Sequence, residues 1–228
     1  MSQQQVRTDD KNFKTVLATF LSNNWRALLV IAVIIVVLVI GGGIYTLVHQ
    51  NRVEKSAVAA EQVQTLYADW QAAEGEEKDE IAEELVSSGE GAIENFSGMY
   101  AAARSHLVLG RLAYDQENFA TALEHFNALV DSQPKSYLAP ISLMHAATAH
   151  EETEEYENAI AAYQRVRENY SDTFPEVPHA LFSIGRLYEK IDNKDAAMQA
   201  YNEVIDDFSS SNWTNLARDR IIYLETIN

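Results

Sequence analysis

The stretch "LGRLAYDQENFATALEHFNALVDSQP" at residues 109–134 decides the fold, because it returns in altered form as "IGRLYEKIDNKDAAMQAYNEVIDDFS" at residues 184–209. Both copies place a glycine, an alanine and an aromatic residue at the same spacing, at positions 110, 122 and 126 and again at 185, 197 and 201. A third copy, "YENAIAAYQRV" at residues 156–166, keeps the alanine and the aromatic residue, so that alanine recurs at positions 122, 159 and 197 with a nearly constant interval. This spacing indicates a repeated pair of helices.

Small residues in the repeat occupy two columns. The first column holds Gly110, Ala147 and Gly185, and the second holds Ala122, Ala159 and Ala197. Small residues on facing helices allow two antiparallel helices to approach closely, and the aromatic residue then fills the space against the next hairpin.

This pattern resembles the tetratricopeptide repeat over roughly residues 103–212. The middle copy in chain order, which contains residues 156–166, departs from it, with Ala146-Ala147 in place of a Leu-Gly pair and Ser171 where the family has a proline. The resemblance implies an all-α helical solenoid with three repeats in residues 99–212.

The flanking segments are also predicted to be helical. Residues 49–98 read as a linker and a degenerate N-terminal hairpin with a break at Gly75, since terminal repeats of a solenoid are usually atypical. Residues 213–228 read as a C-terminal capping helix, in which Leu216, Ile221 and Leu224 are expected to cover the last exposed face.

One segment near the N-terminus is long enough to cross a membrane. Ala27 to Val48 are 22 uncharged residues, about 33 Å as α-helix. A secretory signal consists of a short basic start, an apolar region of about 7–15 residues and a cleavage site. Here 26 residues precede the apolar run, and the run is longer than that of a signal. The sequence therefore predicts a retained transmembrane helix at 27–48 behind a cytoplasmic tail at 1–26.

The flanking basic residues predict the orientation. The four before the span outnumber the two just after it, and basic residues tend to remain in the cytoplasm. They are Arg7, Lys11, Lys14 and Arg26 before the span, and Arg52 and Lys55 after it. We expect a single-pass protein of the bacterial inner membrane with its C-terminal domain in the periplasm.

Residues 51–228 contain 13 of the 17 Lys and Arg but 32 of the 34 Asp and Glu, a balance of −19. This charge argues against nucleic acid as a partner and against docking on anionic lipid, because the summed field repels both.

The sequence gives no sign of an enzyme. It contains neither a glycine-rich phosphate loop nor a nucleophile elbow. His145 and His150 are five residues apart, about 140° around a helix, which is not the spacing of a metal-ligand pair. We therefore expect no catalytic residue, no metal, no cofactor and no small-molecule substrate.

The expected binding surface is the concave face, which the first helix of each hairpin lines. Counting from the small-residue column gives the candidate peptide groove Arg104, Leu107, Arg111, Met144, Thr148, His179, Phe182 and Arg186. An apolar strip beside arginines suits an extended or helical peptide with apolar side chains. In the alternative interpretation the apolar residues are half-buried spacers and the arginines pair with neighbouring acids.

The domain organisation, a short tail, one span and an acidic repeat domain, resembles that of the YfgM family, ancillary single-pass subunits of the bacterial Sec translocon. The resemblance includes "FLSNNWRALLV" at 20–30 and "YAAARSHLVLGRLA" at 100–113. It implies translocon subunits, periplasmic chaperones or exported polypeptides as protein partners, with hand-over of emerging chains to chaperones as the role. The alternative is a scaffold of outer-membrane or cell-division assembly, although such scaffolds are usually lipid-anchored or soluble.

Overall fold

The computed structural model describes the backbone of residues 3–226 and the side chains of residue 13 and residues 15–226. In this part the chain is all-α, as predicted, with no strand. Its helices are α1 (Gln3–Ala72), α2 (Gly75–Asn95), α3 (Tyr100–Asp115), α4 (Phe119–Ser132), α5 (Leu138–Glu152), α6 (Tyr156–Tyr170), α7 (Val177–Lys190), α8 (Lys194–Asp207) and α9 (Asn212–Thr226). The chain divides into two units, one ending at Val53 and one beginning at Glu54.

The first unit consists of the N-terminal part of α1. By length and composition α1 can cross a membrane, and none of the side chains in its most apolar stretch is buried in the described structure. Ile34 and Leu38, for example, are 52% and 68% exposed. The side chains of Arg7, Lys11 and Lys14, which support the predicted orientation, lie outside the described residues.

The second unit begins with residues 54–72 of α1. The sequence predicts a linker from residue 49, but α1 is helical throughout this region, because residues 44–74 contain neither glycine nor proline. The helix ends before Gly75, whose φ of +62° suits glycine at the start of α2. Val63 and Tyr67 of α1 pack with Leu85 of α2 in a core cluster that includes α3. Residues 54–72 and α2 therefore form a hairpin ahead of the repeats.

The three repeats are the hairpins α3/α4, α5/α6 and α7/α8. In each hairpin the two helices are joined by a turn of the same conformation. Seven residues after the small-residue column, Glu117, Glu154 and Asp192 have φ angles of 57° to 59°. The following residue is the N-cap of the second helix, and in the first repeat the Asn118 side chain accepts a hydrogen bond from the Thr121 amide at 3.3 Å. The shared left-handed residue gives each hairpin the same geometry, although none of the three is glycine.

Glycine occupies the small-residue column where an aromatic ring lies directly against the backbone. A Cβ on Gly110 would lie 2.5 Å from Cε1 of Phe126, and one on Gly185 would lie 2.5 Å from Cε1 of Tyr201. Both rings are fully buried. The spacing predicts that the glycine faces the alanine of the second helix, but the atoms nearest to a Cβ at the glycine belong to the aromatic ring of that helix.

Replacing Gly185 with alanine is expected to destabilise the domain. The added methyl group gains about 0.5–1 kcal/mol in helix propensity, but overpacking a buried site costs about 1–3 kcal/mol. The matched control is Gly91→Ala in α2, where a Cβ meets no atom within 4 Å. In urea unfolding we expect Gly185→Ala to lower the free energy of unfolding and Gly91→Ala to raise it. Equal effects would contradict the packing described above.

The capping helix α9 buries a different face from the one expected. Leu224 is 5% exposed and Ile221 packs against the core, but Leu216 is 47% exposed. The buried face of α9 instead runs through Thr214, Ala217 and Leu224, and Leu216 lies about 100° around the helix from Ala217. The prediction for Leu216 is therefore wrong, and residues 227 and 228 of the predicted capping segment lie outside the described residues.

Candidate functional site

A cavity of about 630 Å³ opens between α5, α7 and the start of α9. Its apolar lining includes Ile141, Met144, Phe174, Phe182 and Trp213. Five of the eight residues predicted from sequence meet there, namely Met144, Thr148, His179, Phe182 and Arg186. We call this cavity the α5–α7 groove.

The other three predicted residues lie on α3 and do not reach the groove. The Arg104 side chain donates a hydrogen bond to Gln64, and the Arg111 guanidinium lies 4.8 Å from the centre of the Tyr67 ring. Leu107, between them on the same helix face, is only 3% exposed. Because α1 contacts this face on both sides of Leu107, the predicted groove does not extend over α3.

A carboxylate on α5 holds the arginine of the groove. Nη2 of Arg186 lies 2.5 Å from Oε2 of Glu151, and the Tyr163 hydroxyl donates to Oε1 of Glu151 at 2.9 Å. Burial and the nearby Glu151 raise the pKa of Tyr163 to about 12. Arg186 thus pairs with a neighbouring acid, as in the alternative interpretation of the sequence, while still lining the groove.

The same network occurs one repeat later. The Tyr201 hydroxyl donates to Oε1 of Glu189 at 2.5 Å, and Nε of Arg220 donates to the same oxygen at 3.0 Å. In the first repeat both positions change together, because Tyr114 replaces the glutamate and Phe126 replaces the tyrosine. A glutamate therefore occurs only in the repeats whose aromatic residue is a tyrosine, and this correlation in the sequence indicates that the two side chains interact. The predicted groove did not include Glu151.

Aromatic stacking builds the wall of the groove near α9. The rings of His179 and Trp213 stack with centroids 4.3 Å apart and planes 2° apart, and the Phe182 ring lies 5.1 Å from that of Trp213. Burial lowers the pKa of His179, although Glu176, at 3.6 Å, opposes this shift. Sequence reasoning missed Trp213 because it lies on the capping helix, outside the three repeats.

His145 makes the stability of the domain depend on pH. Its ring stacks on Phe126 at 5.4 Å, and burial lowers its pKa from 6.5 to about 4. The unfolded chain therefore binds more protons between these values, and stability falls as pH decreases through this window. The free energy of unfolding should therefore decrease between pH 7 and pH 5, and we expect this decrease to be about 1–2 kcal/mol smaller in His145→Gln. Urea titrations at the two pH values measure it, with exposed His49→Gln as the control. Equal losses in His145→Gln and the unmodified protein would contradict the assignment.

Stacked helical hairpins with a concave groove define a class of proteins that bind other proteins. The chain belongs to the tetratricopeptide repeat-like domain family, whose model matches residues 18–224. Over 88 residues it is 34% identical to a TPR repeat-containing protein of Treponema pallidum (strain Nichols). That match covers 39% of this chain and 36% of the relative, so the chain spans about a third of the relative's length.

Two solved structures with TM-scores above 0.5 share the fold. Two crystal structures of a Podosopora anserina putative kinesin light chain with nearly identical TPR-like repeats match with a TM-score of 0.51 and 14% identity, over 67% of this chain and 77% of theirs. The N-terminal domain of stress-induced protein-1 from C. elegans matches with a TM-score of 0.47 and 18% identity, over 55% of this chain and 95% of that one. Scaffolds of this type generally act through protein–protein interaction and not as enzymes.

Within the described residues, no group of three or more His, Cys, Asp or Glu side chains could hold a metal ion. In the α5–α7 groove Glu151 is instead paired with Arg186, and a carboxylate oxygen of Glu176 lies 3.6 Å from Nδ1 of His179. The arrangement offers an apolar floor with a few polar groups at fixed positions, which is the usual composition of a binding site.

Proposed function

We propose that this protein is an ancillary subunit of the bacterial Sec translocon that binds emerging polypeptides in its α5–α7 groove. The observation that carries the proposal is the groove itself, an open cavity of about 630 Å³ with an apolar floor. Binding sites commonly have volumes of about 300–1,000 Å³, so this one accommodates a few side chains of a peptide.

The groove recognises apolar side chains more than charges. Met144 and Phe182 supply apolar surface, whereas Arg186 is already paired with Glu151. Burial of apolar surface contributes about 25 cal/mol per Å² without requiring a particular sequence. Such a site suits a chain that has not yet folded, because its apolar side chains are still accessible.

Membrane anchorage is the second part of the proposal. The helix α1 contains a run long and apolar enough to span, with exposed apolar side chains. We propose that it remains in the inner membrane, with the tail in the cytoplasm and the acidic domain in the periplasm. This arrangement and the YfgM-like sequence features support a position beside the translocon, with hand-over to periplasmic chaperones.

Photocrosslinking in intact cells tests the partner. A photoreactive amino acid at 144 or 182 of the full-length protein should label translocon subunits or exported chains, and labelling of exported chains should decline when puromycin stops translation. The control position is Glu124 on α4, which is exposed and outside the groove. Strong labelling from 124 with none from 144 and 182 would place the binding face elsewhere. Labelling of an envelope-assembly complex alone would favour the scaffold function.

Topology is tested separately. Protease added to spheroplasts should degrade the acidic domain while residues before the span stay protected. Determination of the N-terminus of the mature protein checks retention, and an N-terminus near Gly43 would show that the apolar run is a cleaved signal.

A further inference from the structure

The loops that precede the first helices of the hairpins form one edge of the second unit. They are residues 96–99, 133–137 and 171–176, together with residues 208–212, which precede the capping helix and include its first residue, and we call them the loop edge. Contacts join neighbouring loops: the Gln133 amide donates to the Met99 carbonyl at 3.1 Å, and the Tyr170 hydroxyl donates to the Pro134 carbonyl at 2.8 Å. The first three of these loops are therefore joined, the third through the last residue of α6.

Exposed aromatic residues lie along this surface. The rings of Tyr100 and Tyr137 stack with centroids 6.3 Å apart, and they are 43% and 65% exposed. Tyr137 also borders a cavity of about 580 Å³ with Tyr170 and Phe174. Tyrosine and tryptophan combine an apolar ring with a polar group, and they concentrate where a protein meets the interface of a bilayer.

The chain enters the second unit at the same edge. The Ser56 hydroxyl accepts a hydrogen bond from the Ala101 amide at 3.1 Å, which places the start of this unit beside the start of α3. Val48, the end of the uncharged run, precedes Ser56 by eight residues. Eight residues span at most about 29 Å even when fully extended, so the chain enters the second unit only a short stretch after the run that can cross a membrane.

Charge distinguishes the two edges of the hairpins. On the opposite edge, the turn at residues 151–157 contains five glutamates and no basic residue, and the turn at residues 190–195 contains two lysines and two aspartates. In the loop edge, residues 96–99 and 208–212 contain no charge, 133–137 contain one lysine, and 171–176 contain two acids. Anionic lipid repels the acidic turns more strongly than it repels the loop edge. This difference favours the orientation in which the acidic turns lie farther from the membrane.

We infer that the loop edge lies against the headgroup layer of the membrane that holds the span. This inference rests on the proposed anchorage. Phe174 and Trp213 line the α5–α7 groove and lie in the loop edge or directly after it. One end of the groove thus opens at the membrane surface, where a polypeptide leaves the bilayer.

Fluorescence quenching tests this inference, because the protein contains no cysteine and single-cysteine variants can be labelled at one position. Full-length Ser97→Cys and Ser210→Cys report on the loop edge, and Gln116→Cys reports on the opposite edge, all three at positions outside the buried core. Leu38→Cys reports on the span. Each variant carries a bimane label in phosphatidylethanolamine and phosphatidylglycerol vesicles that contain nitroxide-labelled lipids.

Nitroxides on the headgroups should quench the labels at 97 and 210 strongly and the label at 116 weakly. Nitroxides on the acyl chains should quench the label at 38. Quenching at 38 without preferential quenching at 97 and 210 would overturn the inference and leave the anchorage intact, whereas no quenching at 38 would overturn both.

A variant tests the role of the aromatic residues. Replacing Tyr100 and Tyr137 with serine should reduce quenching at position 97, and the control Tyr223→Ser, at a residue with 48% exposure on α9, should not. Equal quenching in the double variant and the unmodified background would show that these tyrosines do not hold the edge at the membrane.

Discussion

Replacing Phe126 with alanine is expected to lower the free energy of unfolding by about 3–5 kcal/mol. The Phe126 ring is fully buried, lies against Gly110 and stacks on His145 of the next hairpin. Its carbonyl also accepts a hydrogen bond from the Ser142 hydroxyl at 3.0 Å. Truncation therefore leaves a cavity between two hairpins that the helices cannot close without moving. Urea unfolding of the full-length protein in detergent, followed by circular dichroism, measures the loss.

The matched control is Phe182→Ala, which removes the same side chain from a half-buried position in the groove. The Phe182 ring buries less apolar surface than the Phe126 ring, so Phe182→Ala should lower the free energy of unfolding by clearly less than Phe126→Ala does. If the two variants were equally stable, the aromatic column would not be the main packing element of the hairpins.

Combining Met144→Ala with Phe182→Ala is expected to weaken partner binding strongly while the domain stays folded. Each side chain contributes about 1.5–3 kcal/mol when fully buried by a ligand. Both side chains are already half-buried in the free protein, so a ligand buries only about half of this surface, and losing both costs about 1.5–3 kcal/mol, or about 10- to 150-fold in affinity. The measurement is crosslinking from a photoreactive residue at position 179, with circular dichroism as the check on folding.

The control for this variant changes two exposed apolar residues outside the groove. Leu216 and Ile222 on α9 are 47% and 59% exposed, and replacing both with alanine should leave the crosslinks unchanged. Because Arg186 is held by Glu151, the binding of the unmodified protein should also depend only weakly on salt. Loss of crosslinks in the α9 variant alone would move the binding site to the capping helix.

The sequence by itself determined the repeat. Gly110 and Phe126 have the same separation along the chain as Gly185 and Tyr201, and this spacing implied two facing helices with an aromatic ring that fills the space against the next hairpin. The structure has the paired helices, and the Phe126 ring stacks on His145 of the next hairpin, because helical periodicity is a local property that fixes which side chains share a face. The broad class, an all-helical protein without strands in the described residues, followed from the same pattern.

The tertiary structure decided which of the predicted residues are accessible. Leu107, Met144 and Phe182 occupy equivalent positions in their helices, but only the last two line the groove, since α1 contacts the face of α3 that carries Leu107. Arg186 and Glu151 are far apart in sequence and meet only through the packing of α7 on α5. Periodicity places a side chain on a helix face, whereas its exposure and its charge partner depend on the neighbouring helix that packs there.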